Sequence, residues 1–412
     1  MVMRIARLAC LTFSILLAVP CRAAQPTPKP SSTASAQRQT AIALEQKGNQ
    51  EEAERAWRTI VKTNPRNAEA YAHLGLLAAH RENYEQAIPL YRKALSLTPA
   101  IPGLRMNLGL ALFKGGHPKQ AIGEFTQLLN APKVSPDDAY RLRVLIGMAH
   151  YGQGEYSDAV PFLKEAAAAD PRNLELRLVL AHSCLAAKQD QCVLDTYKEI
   201  LTIDPESAEA YILAGEAMDA MGNSTGAIEQ FRLAIQANPR QPHAHFGLGY
   251  LLWTQKAYDE AAKEFQAELA LDPEHTQSLL YLGDIAVRAS RFTDARPLLE
   301  RAEKGDPSLS LAHLDLGIVL TDAGQLDEAV RELKEASRLN PNEVDAHWRL
   351  ARIYRARGDI QAANEELAKT EQLKKAEHED LFRKMANGRP PAPATDTPLT
   401  PAAPQQPRQS QP

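Results

Sequence analysis

Four cysteines in 412 residues are too few for a disulfide-built scaffold, and aromatic side chains supply only 6% of the chain. An excess of one charge is missing too. The 47 Lys and Arg nearly balance 51 Asp and Glu, and the net charge of −4 excludes a polybasic nucleic-acid binder as the starting reading. Catalytic signatures are absent as well: no P-loop, G-x-S-x-G, H-E-x-x-H or C-x-x-C occurs. "GLGYLL" from Gly247 opens like a dinucleotide fingerprint but lacks the third glycine and falls in a helical pattern. These absences leave no candidate catalytic residue, no cofactor and a non-enzymatic expectation.

The ends of the chain read as segments outside the fold. Met1 to Arg7 carries two arginines and no acid, an apolar run follows from Leu8 to Val19, and "CRAA" comes after Pro20. That is the pattern of a secretory signal peptide, residues 1–23, cleaved after Ala23. The run is short for a bilayer span, so no stable membrane insertion is expected after cleavage. Lipidation at Cys21 is disfavoured because Pro20 stands where a small residue is wanted. Residues 24–35 read as a disordered linker, and 389–412, rich in proline, as a disordered tail. The expected location is periplasmic or secreted.

Between these ends the chain repeats itself. A proline preceded by Asp, Asn or Thr recurs at Pro65, Pro99, Pro171, Pro205, Pro239, Pro273, Pro307 and Pro341, every 34 residues except for one interval of 72. The four extra residues fall in the turn-rich "NAPKVSPDDA". Ten units result, starting near 34, 68, 102, 140, 174, 208, 242, 276, 310 and 344. Each holds two runs of helical spacing around a short breaker such as "DAGQL". The eighth position of every unit is Gly or Ala and the twentieth is Ala in nine of ten, which predicts a close helix–helix contact, Gly249 with Ala261 for example.

"AEAYAHLGLLAAHRENYEQAIPLYRKALSLTP" and its copies resemble the tetratricopeptide repeat. The resemblance spans 36–375 and implies an all-α right-handed superhelix, an α-solenoid of about ten helix-turn-helix units. Its concave side is lined by the first helix of each pair. Lys188 departs from the pattern, standing where a turn glycine is expected. The tenth unit lacks its proline, so its second helix can run on as a cap through 376–388.

The fifth, ninth and twelfth residues of each first helix form a stripe that the family geometry directs into the groove. Its early members are apolar: Leu76, Met106, Leu110, Phe113, Met148, Tyr151 and Leu185. Glu216 and Asp219 turn it acidic, and Phe246, Tyr250 and Trp253 form an aromatic shelf. Asp284 follows, and Arg352 and Arg355 end it. Either these residues hold a partner protein or peptide, or neighbouring helices cover many of them. Trp253 is the leading candidate contact. A polysaccharide stacked on the aromatics is the alternative ligand.

Two further groups stand out. His243 and His245 point to different helix faces, and His245, His313 and His347 share one repeat position. They read as substitutes for the aromatic of that position, and no metal site is expected. Cys184 and Cys192 flank the turn of the fifth unit and are candidate disulfide partners in an exported protein, against the alternative of two unrelated thiols.

Overall fold

The computed structural model describes residues 32–386; the signal segment, Cys21 and the Pro-rich tail lie outside them. The described residues form twenty helices in ten pairs. They fall into two compact units, 32–199 and 200–386, divided inside one helix.

The first unit holds α1 (Ser32–Gln46), α2 (Gln50–Thr63), α3 (Ala68–His80), α4 (Tyr84–Leu97), α5 (Leu104–Lys114), α6 (Pro118–Leu129), α7 (Pro136–Gly152), α8 (Tyr156–Ala169) and α9 (Leu174–Ala186), and most of α10 (Asp190–Ile203). α1 starts four residues inside the segment expected as linker. The four extra residues do not make a turn: Pro136 to Ala139 are the opening turn of α7, capped by the Ser135 hydroxyl, which accepts from Asp138 N–H at 3.0 Å. Buried Ala139 shares a face with Leu142 and Ile146, so the added turn extends the core.

The second unit holds α11 (Ala208–Ala220), α12 (Ser224–Ala237), α13 (Ala244–Thr254), α14 (Tyr258–Leu271), α15 (Thr276–Arg288), α16 (Phe292–Gly305), α17 (Ser310–Asp322), α18 (Leu326–Leu339), α19 (Val344–Ala356) and α20 (Ile360–Ala386). Within each unit successive helices pack through buried alanines and leucines.

The small-residue column closes the helix pairs differently from the expectation. A Cβ added to Gly249 would lie 2.9 Å from the Phe265 ring, with Glu264 next, and Ala261 is not among its nearest neighbours. The same offset of sixteen residues pairs Gly75 with Tyr91, Gly109 with Phe125, Gly147 with Leu163, Gly215 with Phe231, Gly283 with Leu299 and Gly317 with Leu333. In these seven pairs the column is small because the second helix seats one large side chain on the first helix's backbone. Tyr91, Phe125, Leu163, Phe265, Leu299 and Leu333 are 0% exposed.

Each pair turns through one left-handed residue, at 48, 82, 116, 154, 188, 222, 256, 290, 324 and 358. Six are glycines, and Glu82, Lys188, Lys256 and Ser290 take the conformation with positive φ near 60° instead. The departure at Lys188 therefore changes the residue but not the turn.

Candidate functional site

In the first unit the stripe keeps part of its apolar surface open. Leu76 on α3, Met106, Leu110 and Phe113 on α5, Met148 on α7 and Leu185 on α9 are half-buried. Tyr151 is buried and meets Tyr156 edge-on, with ring centroids 5.5 Å apart. Met106, Leu110 and Phe113 lean on the core while leaving a face to solvent.

In the second unit the aromatic shelf is closed. Phe246, Tyr250 and Trp253 are 8%, 5% and 5% exposed. They pack against Phe265 and Tyr281, with Trp253 and Tyr281 centroids 4.8 Å apart. Trp253 Nε1 donates to Asp284 Oδ2 at 2.6 Å, and Arg288 Nε donates to the same oxygen at 2.7 Å. The Arg288 guanidinium lies over the Trp253 and Tyr258 rings. Asp284, 2% exposed, is thus consumed inside the fold and makes no acidic edge. The expected shelf with Trp253 as a free contact is corrected: Phe265, Tyr281 and Arg288 from neighbouring helices cover its rings.

The charged ends of the stripe stay accessible. Glu216, Arg352 and Arg355 are exposed and Asp219 is half-buried, with burial raising its carboxyl above the ordinary range. Arg352 stacks over Trp348 at 4.7 Å. Deeper in, Asp315 is buried with Oδ2 unbonded, and burial followed by the nearby Asp284 charge raises its carboxyl well above the usual range.

His245, His313 and His347 bond to Glu264, Glu332 and Glu366 through Nδ1 at 2.7, 2.7 and 2.5 Å. Nε2 of His245 and His313 reaches the carbonyls of Pro239 and Pro307, as the Tyr211 hydroxyl reaches that of Pro205. These histidines occupy the aromatic's place, and His245 and His313 keep its hydrogen bond. His313 is raised above its usual range, first by the bond to Glu332.

His243 takes a different part, one that the sequence reading missed. It stands just before α13 with φ 68°, facing His275 before α15 at a ring separation of 5.5 Å. Glu268 on α14, 1% exposed, lies between them, its two oxygens accepting from His243 N–H at 2.9 Å and Phe246 N–H at 3.2 Å. The signal was in one column: the equivalents of Glu268 are Ile60, Ala94, Leu128, Ala166, Ile200, Ala234, Ala302, Ala336 and Thr370.

Cys184 on α9 and Cys192 on α10 are joined as a disulfide, with Cα atoms 5.8 Å apart. Among the described residues no helix is long and apolar enough to cross a membrane.

Comparison with curated proteins finds no match. Among solved structures, YrrB, described as a protein with an unusual peptide-binding site, is 22% identical; the alignment covers 46% of this chain and 97% of YrrB at a TM-score of 0.39. Pseudomonas aeruginosa pilF is 18% identical over 51% of this chain and 96% of its own, at 0.46. MamA from Desulfovibrio magneticus RS-1 is 22% identical over 42% and 95%, at 0.36. One family model of the tetratricopeptide repeat matches residues 38–103, 106–191, 212–276, 258–310 and 280–330, and a second matches 320–377. Those matches cover most of the sequence, and seven helix pairs seat a bulky residue on the glycine of the small-residue column: the chain belongs to the tetratricopeptide repeat family.

Proposed function

We propose that this chain is a non-enzymatic scaffold of the cell envelope that holds a segment of a partner protein along the first-helix face of its first unit. The observation that carries the reading is the half-open apolar stripe of Leu76, Met106, Leu110, Phe113 and Met148. A solvated helix face has no need of large apolar residues at successive repeats, whereas a docked segment would bury them. In the second unit, Glu216, Asp219, Arg352 and Arg355 are charged contacts that would set orientation and association rate. An oxidising compartment is supported by the Cys184–Cys192 bridge and by the signal-like residues 1–23.

A protein ligand is favoured over a polysaccharide because the rings at 246, 250 and 253 have no open faces for sugars to stack on. The test is capture of partners by the mature chain and by Leu110→Ser/Phe113→Ser. A protein partner retained by the first and lost by the second supports the reading. Retention of every partner by a folded double variant, or capture of polysaccharide alone, would refute it.

A further inference from the structure

We propose that His243, Glu268 and His275 form a binding site for a divalent transition cation, of which zinc is the type. One ligand atom from each residue lies within 4.8 Å of the others. A zinc ion holds such ligands at roughly 2.0–2.2 Å, so side-chain adjustments bringing the three atoms to about 3.4 Å apart would complete three corners of a tetrahedron. Water takes the fourth. Two imidazoles and one carboxylate are a borderline donor set that suits zinc and its neighbours rather than magnesium or calcium.

Three features make this more than an accidental meeting of side chains. The first is the carboxylate. Glu268 is 1% exposed in a column otherwise filled by Ala, Ile, Leu or Thr. Among the described residues its hydrogen-bond partners are two backbone N–H groups at the start of α13, and a bound cation would add a full positive charge beside this buried carboxylate.

The second feature is backbone strain at His243. The corresponding residue of the third unit, also after a proline, is Gly103, with φ 74° against 68° at His243. A side chain at this left-handed position carries a conformational cost that glycine in the third unit avoids. The third is the second ring. His275 Nδ1 accepts from Ser278 N–H at 3.2 Å, capping α15, and lies 2.8 Å from the Ser278 hydroxyl, contacts that fix the ring's orientation beside Glu268 and His243. His243 is exposed, which gives an ion its way in. Bound there, the ion would staple the start of the seventh repeat to the start of the eighth through α14.

The experiment is calorimetric titration of the full chain, free of any polyhistidine tag, with zinc chloride and separately with magnesium chloride. The expected result is one zinc bound per chain, no comparable magnesium binding, and a zinc-dependent rise in Tm. His243→Gly, which installs the residue of the third unit, and His275→Ser, which preserves a helix cap, should each weaken zinc about tenfold or more. Glu268→Gln should do the same. Metal-free His243→Gly should melt no lower than the parent, which separates loss of a ligand from loss of fold. His313→Tyr, at a separate histidine–glutamate cluster, should leave zinc affinity intact. No zinc uptake by the parent chain would overturn the proposal, as would unchanged affinity in both His243→Gly and His275→Ser.

Discussion

Gly249 is where the packing logic of the array can be broken most cleanly. A methyl group placed there would sit 2.9 Å from Phe265 Cε1, 3.0 Å from Cδ1 and 3.3 Å from Glu264 Cβ. Carbon atoms prefer roughly 3.5–4.0 Å, so the ring must retreat by about half an ångström or more. Phe265 is fully buried and stacked on Tyr281 at 5.6 Å, which leaves it little room to move. Gly249→Ala should therefore cost about 1–3 kcal/mol. Its cost should fall toward the lower end, since Ala41 and Ala351 occupy the same column in other units. Gly249→Leu has no such precedent and should cost more. Because repeats couple mainly to their neighbours, the loss should concentrate near α13, α14 and α15. Urea unfolding followed by circular dichroism gives the magnitude, and peptide-resolved hydrogen exchange gives the location. Uniform deprotection across all described helices, or a Leu variant as stable as the parent, would refute the argument.

Trp253→Phe keeps most of the ring but removes the donor to buried Asp284, so it should destabilise by about 1.5–3 kcal/mol in urea, whatever happens to binding. Lys256→Gly relieves a left-handed lysine and should stabilise by about 0.5–1 kcal/mol in the same assay after glycine's own entropy is subtracted. His313 has a folded pKa above its unfolded one, so its pair with Glu332 contributes in full below roughly pH 6.5 and fades as pH climbs through the raised value. Urea midpoints of the parent minus those of Glu332→Gln should shrink between mildly acidic and alkaline buffers; a constant difference would contradict the pairing. Non-reducing mass spectrometry of the purified chain should show Cys184 linked to Cys192, with about 2.5 kcal/mol of stabilisation for so short a loop, whereas two free thiols would count against it.

Period and helix pairing were legible because they rest on local spacing. Gly249 could be recognised as a contact point from its column alone, yet its partner could not. Both Ala261 and Phe265 recur in register, and only three-dimensional packing shows that the ring, not the methyl, faces the glycine. The stripe shows the same limit. Its positions follow from helical periodicity, but Trp253 is closed off by Asp284 and Arg288, on another helix. His243 carries no ligand signal of its own, because in a helical reading it and His245 face different sides and the histidines of other units lie a whole repeat away. Glu268 and His275 arrive from two other elements, and the odd carboxylate in an apolar column was the clue within reach.

The extra turn at the start of α7 says what kind of length change such a chain tolerates. Four residues rotate a helix by about 400°, close to one whole revolution. The strand of chain leaving α6 therefore meets α7 at nearly the same bearing, one storey higher, and Ala139 lands above Leu142 and Ile146. An insertion of two residues would arrive about 200° round the axis and present Ser135 and its acids to the core. Length in this architecture is thus quantised: genetic insertions and deletions pass through the fold in whole helical turns or whole repeats, and intermediate sizes must be lost in a loop or lost from the population.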